Sequence, residues 1–471
     1  MNAIRLKTEY LKNPIGMDIV KPRLFWNCAE GVRQTAYRIV CRDEHENVLW
    51  DSGRVESSSM QAVYAGVPLA SRTRVVWQVR LWDENSTAGD WSECAVFEIG
   101  LLTAADWQAQ WITGDYTPDP KRRYSADCFQ KHFTTGEVKK ARLYATACGI
   151  YQAAVNGQTV DGFVLAPGVT DYRKRVQYQT YDVTALLLQG DNTLTFQLAD
   201  GWYRGSVGAN GLCNQYGTET KLLAQLELTM ADGTVQTICT DGSWQWSDDG
   251  PVRFADNKDG ERVDARRVPS YRGHAKGATH PVQPTASDNE PLKEQEQLSA
   301  TPIYTPGGKT VLDFGQNIAG ILQFSITAHA GQRIRLRFGE MLDADGEFTQ
   351  RNIQLAKGHT VTPLQQVDYV CREGRNDYKT AFAIFGFQYV LVESELPVNP
   401  ADFTAIAVYT DLERTGWFTS SNELLNKFFD STVWSAKNNH ADLPTDCPTR
   451  ERHGWTGDAQ IFCPTACWLF D

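Results

Sequence analysis

The chain has 471 residues, 42% of them hydrophobic, and its 46 Lys plus Arg set against 57 Asp plus Glu leave a net charge of −11. It is too long and too apolar for a disordered tail, and at about 150 residues per domain it holds roughly three or four domains. An acidic balance disfavours nucleic acid and anionic lipid as partners, because the long-range field repels both; a neutral substrate fits better.

Eleven cysteines, an odd number without a C-x-x-C pair, spell neither a disulfide framework nor a zinc site, and are expected as reduced thiols. The stretch Met1 to Tyr10 has no apolar h-region, and no uninterrupted apolar run of about 18 residues occurs. The expectation is a cytoplasmic protein without a membrane span.

Most of the chain reads as β structure. Thr35–Val40 and Val75–Trp82 alternate apolar with polar residues, and Trp50-Asp51-Ser52-Gly53 supplies a turn between them. Residues 1–103 are therefore expected to form a small β-sandwich of fibronectin type III style. The Ala-, Trp- and Gln-rich stretch Ala104 to Trp111 leads into a second β region, assigned to 104–280 and expected to be a jelly roll. Its landmarks are Ala153 to Gly157, a strand closed by Asn-Gly, and the alternating run Asn192–Leu198.

Within it, Asp200-Gly201-Trp202-Tyr203-Arg204-Gly205 sets two aromatics and a cation between glycines. Exposed rings beside polar groups make a sugar platform; the plainer reading is a core Trp of the sandwich. Residues 271–300, with Pro281, Pro284 and Pro291 among polar residues, read as a linker. A third sandwich is expected over 300–410, with Asp313 to Asn317 ending a strand and Ala344-Asp345-Gly346 making a turn. After Asp411 the texture changes: Leu424, Leu425, Phe428 and Phe429 recur at helical spacing behind Ser420 to Glu423, predicting a helix to about Lys437.

The densest polar cluster spans 442–460. Asp446, Glu451 and Asp458 lie within thirteen positions, with Arg450, Arg452 and Trp455 among them, and Pro444, Pro448, Gly454 and Gly457 forbid one continuous helix. Carboxylates set close together suit glycoside hydrolysis, in which one acid protonates the leaving oxygen while others hold sugar hydroxyls. The alternative is a solvated loop with local ion pairs. His440 and His453 are thirteen residues apart across Pro and Gly, which is no zincin spacing, so no metal is assigned. Cys447 has His453 and Arg450 nearby in sequence, yet reads more simply as a small packed thiol.

At this point the sequence resembles the bacterial α-L-rhamnosidases of glycoside hydrolase family 78. Asn13-Pro14-Ile15-Gly16, Lys21 to Trp26 and Arg33 to Tyr37 are similar to the family's N-terminal sandwich. Gly201 to Gly205, Asp259-Gly260-Glu261 and Asp264-Ala265-Arg266 resemble its jelly roll. Asp313 to Asn317 and Phe385 to Tyr389 resemble its next sandwich, with Phe385 where the family often has His. The most specific match is Pro444 to Ala459.

The resemblance implies roles. Glu451 takes the place of the general acid; Asp446 and Asp458 match carboxylates on the rhamnose hydroxyls; Trp455 matches an aromatic wall; Arg450 is counted with the substrate-binding residues. The family inverts configuration, so a second carboxylate roughly 6.5–9.5 Å away activates water. No cofactor is called for.

The implied fold is mostly β, three tandem sandwich or jelly-roll domains followed by the first helices of an (α/α)6 barrel. The 61 residues from Asp411 to Asp471 hold about three helices of a twelve-helix barrel. Two expectations follow: an exposed apolar stripe on those helices, and a chain silent on its own because its base is missing. The alternatives for the missing part are a truncated or split reading frame, an excised piece, or a C-terminal complement supplied in trans. The alternative function is a rhamnose- or carbohydrate-binding protein using the jelly roll around Trp202 and Asp259.

Overall fold

In the strand Arg74–Trp82 every second residue faces inward, and Val75, Trp77, Val79 and Leu81 are fully buried. This strand sits inside a sheet with Ala36–Arg42 and Ala95–Ile99, and a three-stranded sheet of Asn2–Thr8, Arg23–Ala29 and Gln61–Val63 closes the other side over Trp26. The turn after Trp50 forms as expected, with Gly53 at φ +61° donating its N–H to Asp51 Oδ1 at 3.0 Å. The structure is a computed structural model that describes residues 1–357 and 360–471.

The second region is a two-sheet jelly roll. Lys221–Met230, Val138–Cys148 and Gln177–Asp182 pair in one sheet; Ile150–Val155, Gly190–Ala199 and Asp127–Thr135 pair in the other. Phe129, Leu143, Phe196, Leu226 and Trp244 fill the space between them. Asn156 and Gly157 both take positive φ, as a tight hairpin turn requires.

The third region is built on one ten-stranded sheet that bends around its own core, including Phe324, Phe338, Phe385 and Phe387. Its longest strand, Thr310–Ala328, runs through the segment expected to end a strand; Asp313 to Ile318 is instead a register shift within it, with Gly315 at φ +72°. Phe385, in place of the family's usual His, stacks on Phe338 with ring centroids 4.1 Å apart.

Sheet pairing crosses two of the expected boundaries. The hairpin Val252–Asp256 and Gly260–Asp264 lies in the stretch assigned to the jelly roll, yet it joins the third sheet, pairing parallel with Gln366–Val370. Gly260 makes this approach possible, since a Cβ there would overlap the Gln366 carbonyl. The expected linker is also structured. Gly273–His274, Lys276–Gly277 and Thr285–Ala286 add short strands to both jelly-roll sheets, and Leu292–Ser299 is an edge strand of the third. Proline and polar content marked irregular backbone correctly, but each short segment finds backbone partners at a sheet edge.

Three helices are present among the described residues: the single turn Gly201–Arg204 (α1), Glu423–Asn438 (α2) and Thr456–Leu469 (α3). Asn422 caps α2, its side chain accepting from the N–H groups of Leu424 and Leu425. At its other end Asn438 accepts from Ala319 N–H at 2.9 Å and donates to Asn317 O at 2.8 Å, fixing α2 on the third sheet. Few residues of α2 and α3 are buried; Leu424, Phe428 and Ile461 are 77%, 68% and 83% exposed. An apolar stripe is indeed present. No helix among the described residues is long and apolar enough to cross a membrane.

Candidate active site

Residues 439–455 link α2 to α3 through a two-residue hairpin, His440–Ala441 paired with Leu443–Pro444, followed by irregular chain, and both neighbouring β regions hold them. Asp442, at φ +75°, accepts from Val169 N–H at 2.5 Å and Asn289 Nδ2 at 2.9 Å, tying the loop to the jelly roll and to the turn before Leu292–Ser299. Burial pushes its carboxyl above the usual range. Asp446 closes the loop on itself: its N–H donates to His453 O at 3.0 Å, and its Oδ1 accepts from His453 N–H at 3.1 Å. Between those two bridges stand Cys447 to Arg452.

Alternate residues of that segment point opposite ways. Arg452 is half-buried, at φ +55°, and its guanidinium points inward, donating to Asn257 O at 2.6 Å, Gln365 Oε1 at 2.9 Å and Thr449 O at 3.1 Å, and also to Ile384 O. Gln365 in turn exchanges hydrogen bonds with Gly386, inside the Phe385 to Tyr389 motif. A Cβ on Gly386 would strike Thr449, so this glycine lets the loop seat on the sandwich. From the other side Lys258, at the tip of the crossing hairpin, donates from Nζ to Gly208 O and, at 2.5 Å, to Arg450 O. Burial pulls Lys258 down to about 8, helped by the Arg452 charge, and burial also pulls Arg452 down to about 10.

Glu451, between the two arginines, is half-buried. Its Oε2 accepts from Trp455 Nε1 at 3.3 Å, and its Oε1 lies 3.4 Å from Arg450 Nη2. Beside it a groove of about 930 Å3 opens between α2, α3 and the loop, lined by Asp446, Trp455, Asp458, Ser435, Asn439 and His440 among others. Asp458 is exposed in the first turn of α3, where a carboxylate suits the helix dipole. The structure thus brings Asp446, Trp455 and Asp458 to one groove. Glu451 stands at its rim, outside the lining, and reaches it through Trp455. Arg450 is not a groove residue either; its guanidinium faces Glu451.

Cys447 accepts from Glu451 N–H at 3.3 Å and lies 3.5 Å from Asp446 Oδ2, while His453 turns to Gly208; this is a packed thiol. All eleven cysteines are free. Gly457 lies inside α3, so the break in helix falls before Thr456. Of the two readings of Gly201 to Gly205, the core one holds and the sugar platform does not form. Trp202 is 9% exposed and Tyr203 5%, both in the core, and Arg204 pairs with Asp200 at 2.7 Å. Asp259 is likewise engaged, by Arg123 at 3.0 Å and Leu364 N–H at 3.1 Å. A ring that closes a hydrophobic core cannot stack on a sugar.

Four family models match successive parts of the chain. They describe a Rha78A-like N-terminal immunoglobulin domain (3–103), an α-L-rhamnosidase N-terminal domain (136–305), a bacterial α-L-rhamnosidase concanavalin-like domain (303–409) and a bacterial α-L-rhamnosidase six-hairpin glycosidase domain (413–471). The chain belongs to the bacterial α-L-rhamnosidase family. The α-L-rhamnosidase of Formosa agariphila is 34% identical over 501 residues, covering 98% of this chain and 53% of its own length. The Streptomyces avermitilis α-L-rhamnosidase complexed with L-rhamnose superposes with a TM-score of 0.91 at 28% identity, over 100% of this chain and 63% of that one. The Aspergillus terreus enzyme gives 0.93 at 32% identity, over 100% and 56%. The chain spans about half the length of the curated relatives it matches.

For this rhamnosidase-family loop, sequence reasoning missed Lys258, Arg452 as an anchor, and Gln365. The one available signal was the Arg450-Glu451-Arg452 triplet, two cations flanking one carboxylate in a turn in which Arg452 takes φ +55°.

Proposed function

We propose that these 471 residues supply the acid-bearing wall of an inverting exo-α-L-rhamnosidase acting on terminal α-L-rhamnosides. Glu451 gives its proton to the glycosidic oxygen as the bond to the sugar's anomeric carbon breaks. Asp446 and Asp458 accept hydrogen bonds from the rhamnose hydroxyls, and Trp455 packs on the ring. Arg450 holds the Glu451 side chain at the rim. A second carboxylate, from residues outside these 471, takes a proton from water attacking the opposite face. On this reading the chain binds rhamnose but does not turn over a rhamnoside by itself; a C-terminal complement, fused or in trans, restores the reaction.

The observation that supports the reading is the Trp455–Glu451 hydrogen bond, since Trp455 lines a groove that also holds Asp446 and Asp458. Titration of the chain with L-rhamnose tests it: saturable binding that Asp446→Asn and Asp458→Asn each weaken supports it. No binding, or binding indifferent to both changes, contradicts it. With 4-nitrophenyl α-L-rhamnoside the chain alone is expected to release no nitrophenol; release abolished by Glu451→Gln would overturn the assignment of the base.

A further inference from the structure

The outer face of the third sheet carries a second groove, of about 940 Å3, which shares no lining residue with the first. Arg253, Arg262, Arg266, Arg267, Arg333 and Arg335 line it. Strand register assembles them. Arg262 lies opposite Asp368 in the parallel ladder, Asp368 opposite Arg335 in the next, and Arg335 opposite Glu393 in the one after. Buried Val263, Val367, Ile334 and Leu336 alternate with them and fix the charged set as the outward one.

Carboxylates are too few to neutralise this face. Asp368 is shared by Arg335 at 2.6 Å and Arg262 at 3.6 Å, and Asp264 by Arg266 at 2.8 Å and Arg267 at 3.5 Å. Arg253 donates to the carbonyls of Asp248 and Gly250 at 2.8 and 3.0 Å. Arg333 meets Glu395 only through its backbone N–H, which donates to Oε2 at 3.1 Å; among the described residues neither its guanidinium nor that of Arg253 has a carboxylate oxygen within 4.0 Å. In a chain of net charge −11, a groove with six guanidinium groups against four carboxylates is a local reversal of sign. Each free guanidinium offers a planar fork that matches carboxylate or sulfate oxygens.

We propose that this groove binds a glycan carrying spaced anionic groups, uronate carboxylates or sulfates. The four interleaved carboxylates, Asp264, Asp368, Glu393 and Glu395, would accept sugar hydroxyls and would repel the continuous charge of a polyphosphate. The one aromatic in the lining, Tyr369, is 4% exposed, so neither nucleobases nor neutral sugars find a stacking surface. Gly260–Asp264, Gln366–Val370 and Arg333–Gly339 are interior strands with neighbours on both sides, which leaves no edge for peptide strand addition. Only the choice of a glycan over an acidic side-chain cluster rests on the hydrolytic reading above. The crossing hairpin links the two sites, with Lys258 at its tip on the acid loop and Arg262 on its face in this groove.

Calorimetric titration of the 471-residue chain tests the proposal with a galacturonate hexamer, its carboxyl-reduced counterpart, a sulfated hexasaccharide, hexaglutamate and a single-stranded RNA decamer. The expected result is binding of the galacturonate or the sulfated glycan, the stronger arm naming the anion, with affinity falling steeply as salt rises. Arg333→Ala, at an exposed position, and Arg253→Ala/Arg333→Ala are expected to weaken it at least tenfold with the thermal transition retained, and Arg173→Ala to leave it unchanged. No binding of either anionic glycan, equal binding of the carboxyl-reduced hexamer, tighter binding of hexaglutamate or RNA, or full affinity in the double variant would overturn it. The assay needs no turnover, so its failure and a failure of the hydrolytic reading are separately visible.

Discussion

Gly201–Gly205 and Arg450–Trp455 combine the same ingredients, arginine, tryptophan and glycine beside a carboxylate, and they meet opposite fates. In the first, α1 turns Trp202, Tyr203 and Arg204 all into the interior, where Asp200 pairs with Arg204 and the Tyr124 ring lies 4.3 Å from its guanidinium carbon. In the second, only the Arg452 guanidinium reaches inward, to Asn257, Ile384 and Gln365, while Glu451 faces Trp455, which is 51% exposed. The lesson is that a reachable site needs one residue of the segment sacrificed as an anchor. Composition alone shows the ingredients and not that division of labour.

The comparison breaks first at Arg204. Arg204→Ala leaves Asp200 buried without its counter-ion, and urea denaturation is expected to show a loss of about 3–5 kcal/mol. Arg452→Ala comes next. It strips partners from buried carbonyls and from Gln365, with an expected cost of about 2–3 kcal/mol, and it is expected to abolish L-rhamnose binding as well, which Arg204→Ala does not do where the fold survives.

Lys258 sharpens the contrast through pH. Its folded value of about 8 lies below the ordinary 10.5, so between those values the unfolded chain holds a proton that the folded chain lacks. Stability then rises with pH across that window, the cost of burying the ammonium being fully present below it. Urea denaturation at pH 7, 8.5 and 10 is expected to show the parent gaining about 1–2 kcal/mol on Lys258→Met. The smallest effect belongs to Arg450→Ala, whose exposed guanidinium makes one long contact with Glu451; its stability is expected within about 0.5 kcal/mol of the parent.

The sequence carried the β character well, because alternation over Arg74–Trp82 and Asn192–Leu198 is a direct record of which face is dry. It also carried an N-cap within Ser420 to Glu423, which the structure assigns to Asn422, and the crowding of carboxylates around the start of α3. Boundaries were less legible. Nothing local in Val252–Asp264 tells that this hairpin leaves the jelly roll for the next sheet, since the choice is made by a distant partner, Gln366–Val370. The same holds for the strap 273–286, whose strands are two residues long and exist only through their neighbours. At the site, Asp446, Trp455 and Asp458 were legible and do share a groove. Lys258 was not, because a lysine in a turn between strands reads as solvated until the loop that buries it is in place.

The most direct test of the central claim joins this chain to the C-terminal half of the Formosa agariphila relative and measures Glu451→Gln on two rhamnosides, one with an alkyl alcohol leaving group and one with 2,4-dinitrophenol. A general acid matters when the departing oxygen needs a proton and little when it does not. The account predicts a loss of about 10²–10⁴-fold in kcat/KM on the alkyl rhamnoside and a far smaller one on the dinitrophenyl rhamnoside. Equal losses on both, or none on the alkyl substrate, would contradict it.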